Sequence, residues 1–207
     1  MQLVVVAVSA GLLVAAALVF LLRPSDGDGD SGPSKQKSVS GSVQLTLGGV
    51  QNANAGAPAQ LGEDAGNQIM AALGQYVDQG LVEPVKTSKP GKDLSGLFDA
   101  GTQVAIAGPD KDVLFENGQP ERTGDFKPAA QPVLIVALSD GNGEFVLATA
   151  GFNYTSEVAV KGGTLKTART IALTFAPENG QWKITGYDMS VTREGAEVDV
   201  PAATAQR

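Results

Sequence analysis

The chain reads as an α+β domain behind an N-terminal single transmembrane helix and a flexible linker. Three observations point there. Leu3 to Leu22 is an uncharged run of twenty residues, which at about 1.5 Å per residue spans about 30 Å, the thickness of a bilayer's hydrocarbon core. Between Glu63 and Ile106 the apolar residues recur at helical spacing, and from Val133 onward they alternate at the period of a strand. Helices followed by long antiparallel strands is an α+β order, in which the helices cover the apolar face of the sheet.

The N-terminal run is expected to stay on the protein as an anchor. A cleavable leader has a basic n-region and a shorter apolar core; here only Met1 and Gln2 precede the run, and apolar residues continue past Ala15-Ala16-Ala17. Orientation follows from the flanks. Arg23 alone would favour a cytoplasmic C-terminal flank, but Asp26, Asp28 and Asp30 sit easily away from an anionic inner leaflet, and a two-residue stub stays inside. The expectation is a single-pass plasma-membrane protein, N-terminus cytoplasmic and C-terminal domain extracytoplasmic.

Residues 24–60 read as a flexible linker holding one short strand. The stretch to Ser42 is Gly, Ser, Pro, Asp and Lys, too polar to bury a core. Its DGDGDSG invites a calcium loop, yet counted from Asp26 the sixth and twelfth positions are Ser31 and Lys37, where an EF-hand requires Gly and Glu. Val43, Leu45 and Leu47 alternate with polar residues, which predicts a strand over Val43–Val50.

The folded domain is expected over 61–193. Ile69, Leu73, Tyr76, Val77 and Leu81 share one helical face, Glu63 and Asp64 suit the positive N-terminus, and Gly80 and Pro84 punctuate the end. Asp93 is placed to cap a second amphipathic segment through Leu94, Leu97, Phe98, Val104 and Ile106. Pro109-Asp110 opens a short turn through Leu114 and Phe115. Four strands follow: Val133–Ser139, Glu144–Val160 with Gly151 as a bulge, Thr164–Ala176 and Gln181–Thr192. Asp140–Gly143, Lys161–Gly163 and Pro177–Gly180 supply the turns of a meander. Lys161, Lys166 and Arg169 read as a solvated edge, and 194–207 as a polar tail that frays.

Composition removes several functions. Fifteen basic against 22 acidic residues give a net charge of −7, which argues against nucleic acid as a partner. There is no cysteine and no histidine, so disulfides, thiol catalysis, Ser-His-Asp chemistry and the usual zinc and copper sites are unavailable. No catalytic residue, cofactor or metal site is expected.

The order helix, helix, LFDAGTQVAIAGPDKDVLF, then long strands ending in GQWKITGYDMSV, resembles the NTF2-like superfamily over Glu63 to Arg193. Trp182-Lys183-Ile184 is similar to the motif that its closing strand often carries. With an anchor and tether in front, the layout resembles the membrane-anchored NTF2-like envelope proteins of actinobacteria, including Mce-associated proteins and the VirB8-like and TcpC-like components of conjugation machines. The resemblance implies a cone of helices packed on a curved antiparallel sheet. Phe98, Phe115, Phe152 and Phe175 would either fill that cone or line a ligand cavity, and Tyr154 and Asp188 could face into it.

Three roles stay open at this point. The favoured one is a non-catalytic binding or scaffolding module of an envelope complex, held at the membrane by residues 3–22. The second is a carrier of a lipid or small apolar ligand in the cone. The third is an isomerase- or dehydratase-like enzyme, for which a chain with three Tyr and no His offers little acid–base material.

Overall fold

Strand period and turn chemistry organise the second half of the chain. The computed structural model describes residues 43–54, 61–108, 110–116, 119–198 and 202–207. The expected membrane segment and the tether to Ser42 lie outside the described residues. Among the described residues no helix is long and apolar enough to cross a membrane.

The fold is α+β: a curved seven-stranded sheet with a few helices. Its strands are β1 (Leu47–Asn52), β2 (Arg122–Ala130), β3 (Val133–Ser139), β4 (Phe145–Val160), β5 (Gly163–Glu178), β6 (Gln181–Gly195) and β7 (Ala202–Gln206). They are ordered β1-β3-β4-β5-β6-β7, with β2 also paired to β4. The expected meander forms β3 to β6. β4 is long enough to hold β3 along its first half (Ser139↔Phe145 to Leu134↔Gly151) and β2 along its second (Ala130↔Tyr154 to Arg122↔Val160). Asn179 and Gly180 both have positive φ, as a type I′ hairpin turn between β5 and β6 demands.

Several expectations need correction. Gly151 stays in register with both Leu134 and Ala172; the irregularities fall at Leu138/Ser139 and at Thr174/Phe175. The strand expected at Val43–Val50 begins four residues later and runs to Asn52, parallel to β3. The tail expected to fray contains β7, antiparallel to β6. Beyond it Arg207 and Tyr187 exchange two backbone hydrogen bonds, at 2.8 and 3.1 Å. Gly186 permits this approach, since a Cβ there would stand 2.9 Å from the Arg207 carbonyl oxygen.

The helical cover is more broken than its hydrophobic period predicts. Helix α1 (Glu63–Tyr76) buries Ile69, Leu73 and Tyr76 as expected. It then widens into a π-helix, Val77–Val82, and continues as α2 (Glu83–Thr87). Pro84 therefore does not stop the helix. It falls near the start of α2, and the Gly80 carbonyl four residues before it accepts instead from the Glu116 N–H at 3.0 Å. Termination comes at Ser88, with φ 52. The second segment splits into a 3₁₀ turn, Ser95–Leu97, and α3 (Ala100–Ile106). Asp93 does not cap a helix: its carboxylate accepts the Ser95 N–H at 2.9 Å. The true cap is Asp99, which accepts the Thr102 N–H at 2.7 Å. Val104, expected on the buried face, is 76% exposed. A single turn, α4 (Lys111–Leu114), completes the cover.

The core lies between this cover and one face of the sheet. Ala150, Phe152 and Tyr154 of β4 stand opposite Leu173, Ile171 and Arg169 of β5, which stand opposite Tyr187, Met189 and Val191 of β6. All nine are buried. Burying each large apolar side chain contributes about 1.5–3 kcal/mol. Alternate residues, among them Thr149, Thr174 and Asp188, belong to the other face.

Candidate functional site

The residues with chemical potential gather under α4, where the helical cover meets the inner face of β4–β6. Glu116, just after α4, is held at both ends. Its backbone N–H donates to the Gly80 carbonyl of the π-helix at 3.0 Å. Its carboxylate oxygen Oε1 receives Arg169 Nε at 2.8 Å and faces Arg169 Nη2 at 2.7 Å. The other oxygen receives Arg193 Nη2 at 3.4 Å. Arg169 Nη1 also donates to the Val113 carbonyl. The Glu116 and Arg169 side chains are almost wholly removed from water, whereas Arg193 keeps an exposed portion. An ion pair so buried persists because each charge is compensated by the other and by hydrogen bonds.

Tyr76 and Tyr154 feel this cluster's charges, and Tyr187 lies further along the inner face. Tyr76 donates its hydroxyl to the Leu114 carbonyl and so ties α1 to α4. Tyr187 donates to Asp110 Oδ2 at 2.6 Å. The Tyr154 hydroxyl is buried with no hydrogen-bond partner among the described residues. All three phenols are pushed well above their ordinary range: by burial first in each case, with the Glu116 charge adding to it at Tyr76 and Tyr154 and the bond to Asp110 at Tyr187. Such phenols stay protonated at neutral pH and cannot serve as bases there.

Arg169 corrects the reading of the hairpin. Charge alone groups it with Lys161 and Lys166 on a solvated edge, yet its side chain lies inside the protein. Parity along β5 decides this: Arg169 has the phase of Leu165, Ile171 and Leu173, and Lys166 has the opposite phase. That parity was readable in the sequence, and Arg193 likewise shares the phase of Met189 and Val191 on β6; Glu116 carried no comparable signal.

Of the six residues expected to line a cone, Phe98, Phe152, Tyr154 and Phe175 are buried in the core, each 0–2% exposed. Asp188 faces the other side of the sheet, one residue out of phase with Tyr187 and Met189 and level with Ala172 and Gln206. Partial burial raises its carboxyl above the usual range. It is thus separated by the sheet from Tyr154, with which it was to share an interior.

Phe115 differs from the other three phenylalanines in being only half-buried. It packs against Tyr76 and Phe98, with ring centroids 6.1 and 6.5 Å away. Its remaining surface lines a groove of about 400 Å³ on the helical side, together with Gly80, Leu94, Ile106, Lys92 and Lys111. No cluster of three or more metal-ligating side chains occurs among the described residues.

No family model, curated protein or solved structure matches the chain.

Proposed function

We propose that the chain is a membrane-anchored, extracytoplasmic, NTF2-like domain that works as a non-catalytic binding or scaffolding module of a cell-envelope complex. The observation that carries this reading is the fate of the interior ionisable groups. Glu116 is shared between Arg169 and Arg193, Tyr76 and Tyr187 are consumed in bonds that fasten the helices to one another and to the sheet, and Asp188 lies across the sheet from them. An acid–base enzyme needs a titratable group aimed at a substrate with a pKa near its working pH. Glu116, Arg169, Tyr76 and Tyr187 are spent on holding the cover in place, and the remaining interior phenol, Tyr154, is raised by burial and stays protonated.

The filled inner face favours a scaffold over a carrier with its ligand inside the cone. Phe98, Phe152 and Phe175 occupy the volume that such a ligand would need. The apolar run at 3–22 and the polar tether behind it supply the rest of the role. A tethered domain is confined near its neighbours, which raises its effective concentration towards them.

The test is in-cell crosslinking of the full chain followed by identification of what is captured, with protease added outside spheroplasts to establish topology. One defined set of envelope proteins, lost when residues 3–22 are replaced by a cleavable leader, is the expected result. Turnover of a small molecule by the purified chain, with no reproducible partner, would overturn the proposal. A domain protected from external protease would reverse the assigned orientation.

A further inference from the structure

The groove beside Phe115 is built from features that the scaffold reading does not use. Its floor is apolar: Leu94 and Ile106 are almost fully buried beneath it, and Phe115 offers the groove its exposed part. Its wall is the π-helix at Gly80, where an added Cβ would come within 3.1 Å of Phe115 and 3.2 Å of Leu94. π-helical turns are rare and concentrate at functional sites. The facing wall is the loop before α3, strapped in place by Gln103, whose Nε2 donates to the carbonyls of Ser95 at 3.0 Å and Phe98 at 3.1 Å. The groove is therefore a pre-formed concavity of the size that takes a small molecule.

Charge at its rim points to the kind of molecule. Lys92, from the loop, and Lys111, from α4, both line the groove, both are exposed, and neither has an ion-pair partner among the described residues. Asp93 is the one acidic lining residue. Its carboxylate accepts the Ser95 N–H, which holds it below the usual carboxylate range and turns it onto its own loop, so the two lysines outnumber one ionised carboxylate at the rim. Two lysines against one aspartate over an apolar floor, in a chain with net charge −7, make a local inversion of the protein's own sign.

We infer that this groove binds a carboxylate-bearing amphiphile, a fatty-acid-like molecule, with the acid group between Lys92 and Lys111 and the apolar body against Leu94, Ile106 and Phe115. The site lies on the helical side, outside the filled inner face, and the inference depends on neither the anchor nor a protein partner. A negative result in the crosslinking experiment leaves it standing, and the reverse also holds.

The experiment is photolabelling of the full chain in phosphatidylcholine vesicles with a diazirine-bearing decanoate, the labelled positions being mapped by mass spectrometry. Labels are expected on the segments holding Leu94, Ile106 and Phe115. Plain decanoate should compete; decanol, which has the tail without the charge, and acetate, which has the charge without the tail, should not. Lys92→Gln/Lys111→Gln, two exposed changes whose folding is checked by circular dichroism, should cut labelling about five-fold, the scale of two exposed ion pairs. Equal competition by decanol, labelling unchanged in the double variant, or labels placed elsewhere would overturn the inference. So would loss of labelling on adding phosphatidylglycerol to the vesicles, because the occupant would then be a bilayer headgroup and not a free acid.

Discussion

Arg169 and Lys166 sit on the same strand and each faces an acidic partner, yet they inhabit different physical worlds. Lys166 is on the outer face, 61% exposed, and pairs across to Glu157, 50% exposed, at 3.4 Å. Arg169 is on the inner face, fully withdrawn from water, and pairs with Glu116 at 2.7 Å. In the outer pair, water screens the attraction and both side chains lose freedom to meet, so the pair contributes about 0–1 kcal/mol. In the inner pair, water is absent, and each charge depends on the other for its solvation. The same strand carries an optional ion pair and an obligatory one, and only the parity of the residue number separates them.

The strongest way to break this comparison is alkali. Tyr76, Tyr154 and Tyr187 share the inner face or its rim, and their phenols are raised by burial. Their folded pKa values exceed the unfolded value of about 10. The neutral phenols therefore stabilise the fold fully below about pH 10, and that contribution is lost as pH rises through the folded values. Phenolate absorbance and loss of the far-ultraviolet circular dichroism signal should rise together above about pH 10. Phenolate appearing near pH 10 with the dichroism unchanged would mean that water reaches these groups.

Next in size is Arg169→Ala. It strips Glu116 of its close partner and leaves only Arg193, at 3.4 Å. The expected cost is about 3–5 kcal/mol in urea unfolding; a cost below about 1 kcal/mol would place Glu116 in contact with solvent. Phe152→Ala probes the same face without charge and should cost about 3–5 kcal/mol through lost contacts and an unfilled cavity. Were it nearly neutral, the inner face would not be packed.

Arg169→Met/Glu116→Leu sharpens the point in the opposite sense. Replacing both members of the close pair removes their mutual demand for compensation, and Arg193, which loses Glu116, still has an exposed portion through which water can solvate it. The double variant should be more stable than Arg169→Ala by about 2 kcal/mol or more, with the unfolding midpoint as the readout. A double variant as weak as the single would show that the network acts through shape and not charge. The smallest effect belongs to Lys166→Ala, within about 1 kcal/mol and shrinking further with added salt.

How much of this was legible in the sequence differs by element. The meander β3–β6 was, because large apolar residues alternate with polar ones and the connecting turns are rich in Gly, Asn and Asp. The first helix was too, through Ile69, Leu73 and Tyr76. Strand β2 was not: in RTGDFKPAA only Phe126 is buried, and Gly124 and Pro128 are poor strand residues. Strand β7 was not either, since AATAQ has no large apolar side chain and is recruited by the open backbone edge of β6. The π-helix carried no compositional mark. Within the candidate site, the phase that buries Arg169 is written in its neighbours, but its charge points the other way, to solvent. Asp188 failed for the converse reason, being one residue from two inward-facing side chains. Glu116 sits in a segment with no period, and only tertiary contact gives it a role.

The parallel pairing of β1 with β3 has a consequence for how the protein forms. Leu47 meets Val133 across a connection that contains every helix of the described chain. The entropy of closing so long a loop must be met before any of its hydrogen bonds are gained. The hairpins β3–β4, β4–β5 and β5–β6, by contrast, close over turns of a few residues. On the ribosome β1 emerges early and must wait, its backbone unpaired, until β3 has followed it. Pulse-labelled hydrogen exchange during refolding should therefore find the amides of Gln51 and Ala53, which face β3, protected after those of Phe152 and Ile171; simultaneous protection would mean that the helices organise the sheet and not the reverse. The strand nearest the tether is then the last to be sewn in, and the first to come loose when the domain is strained.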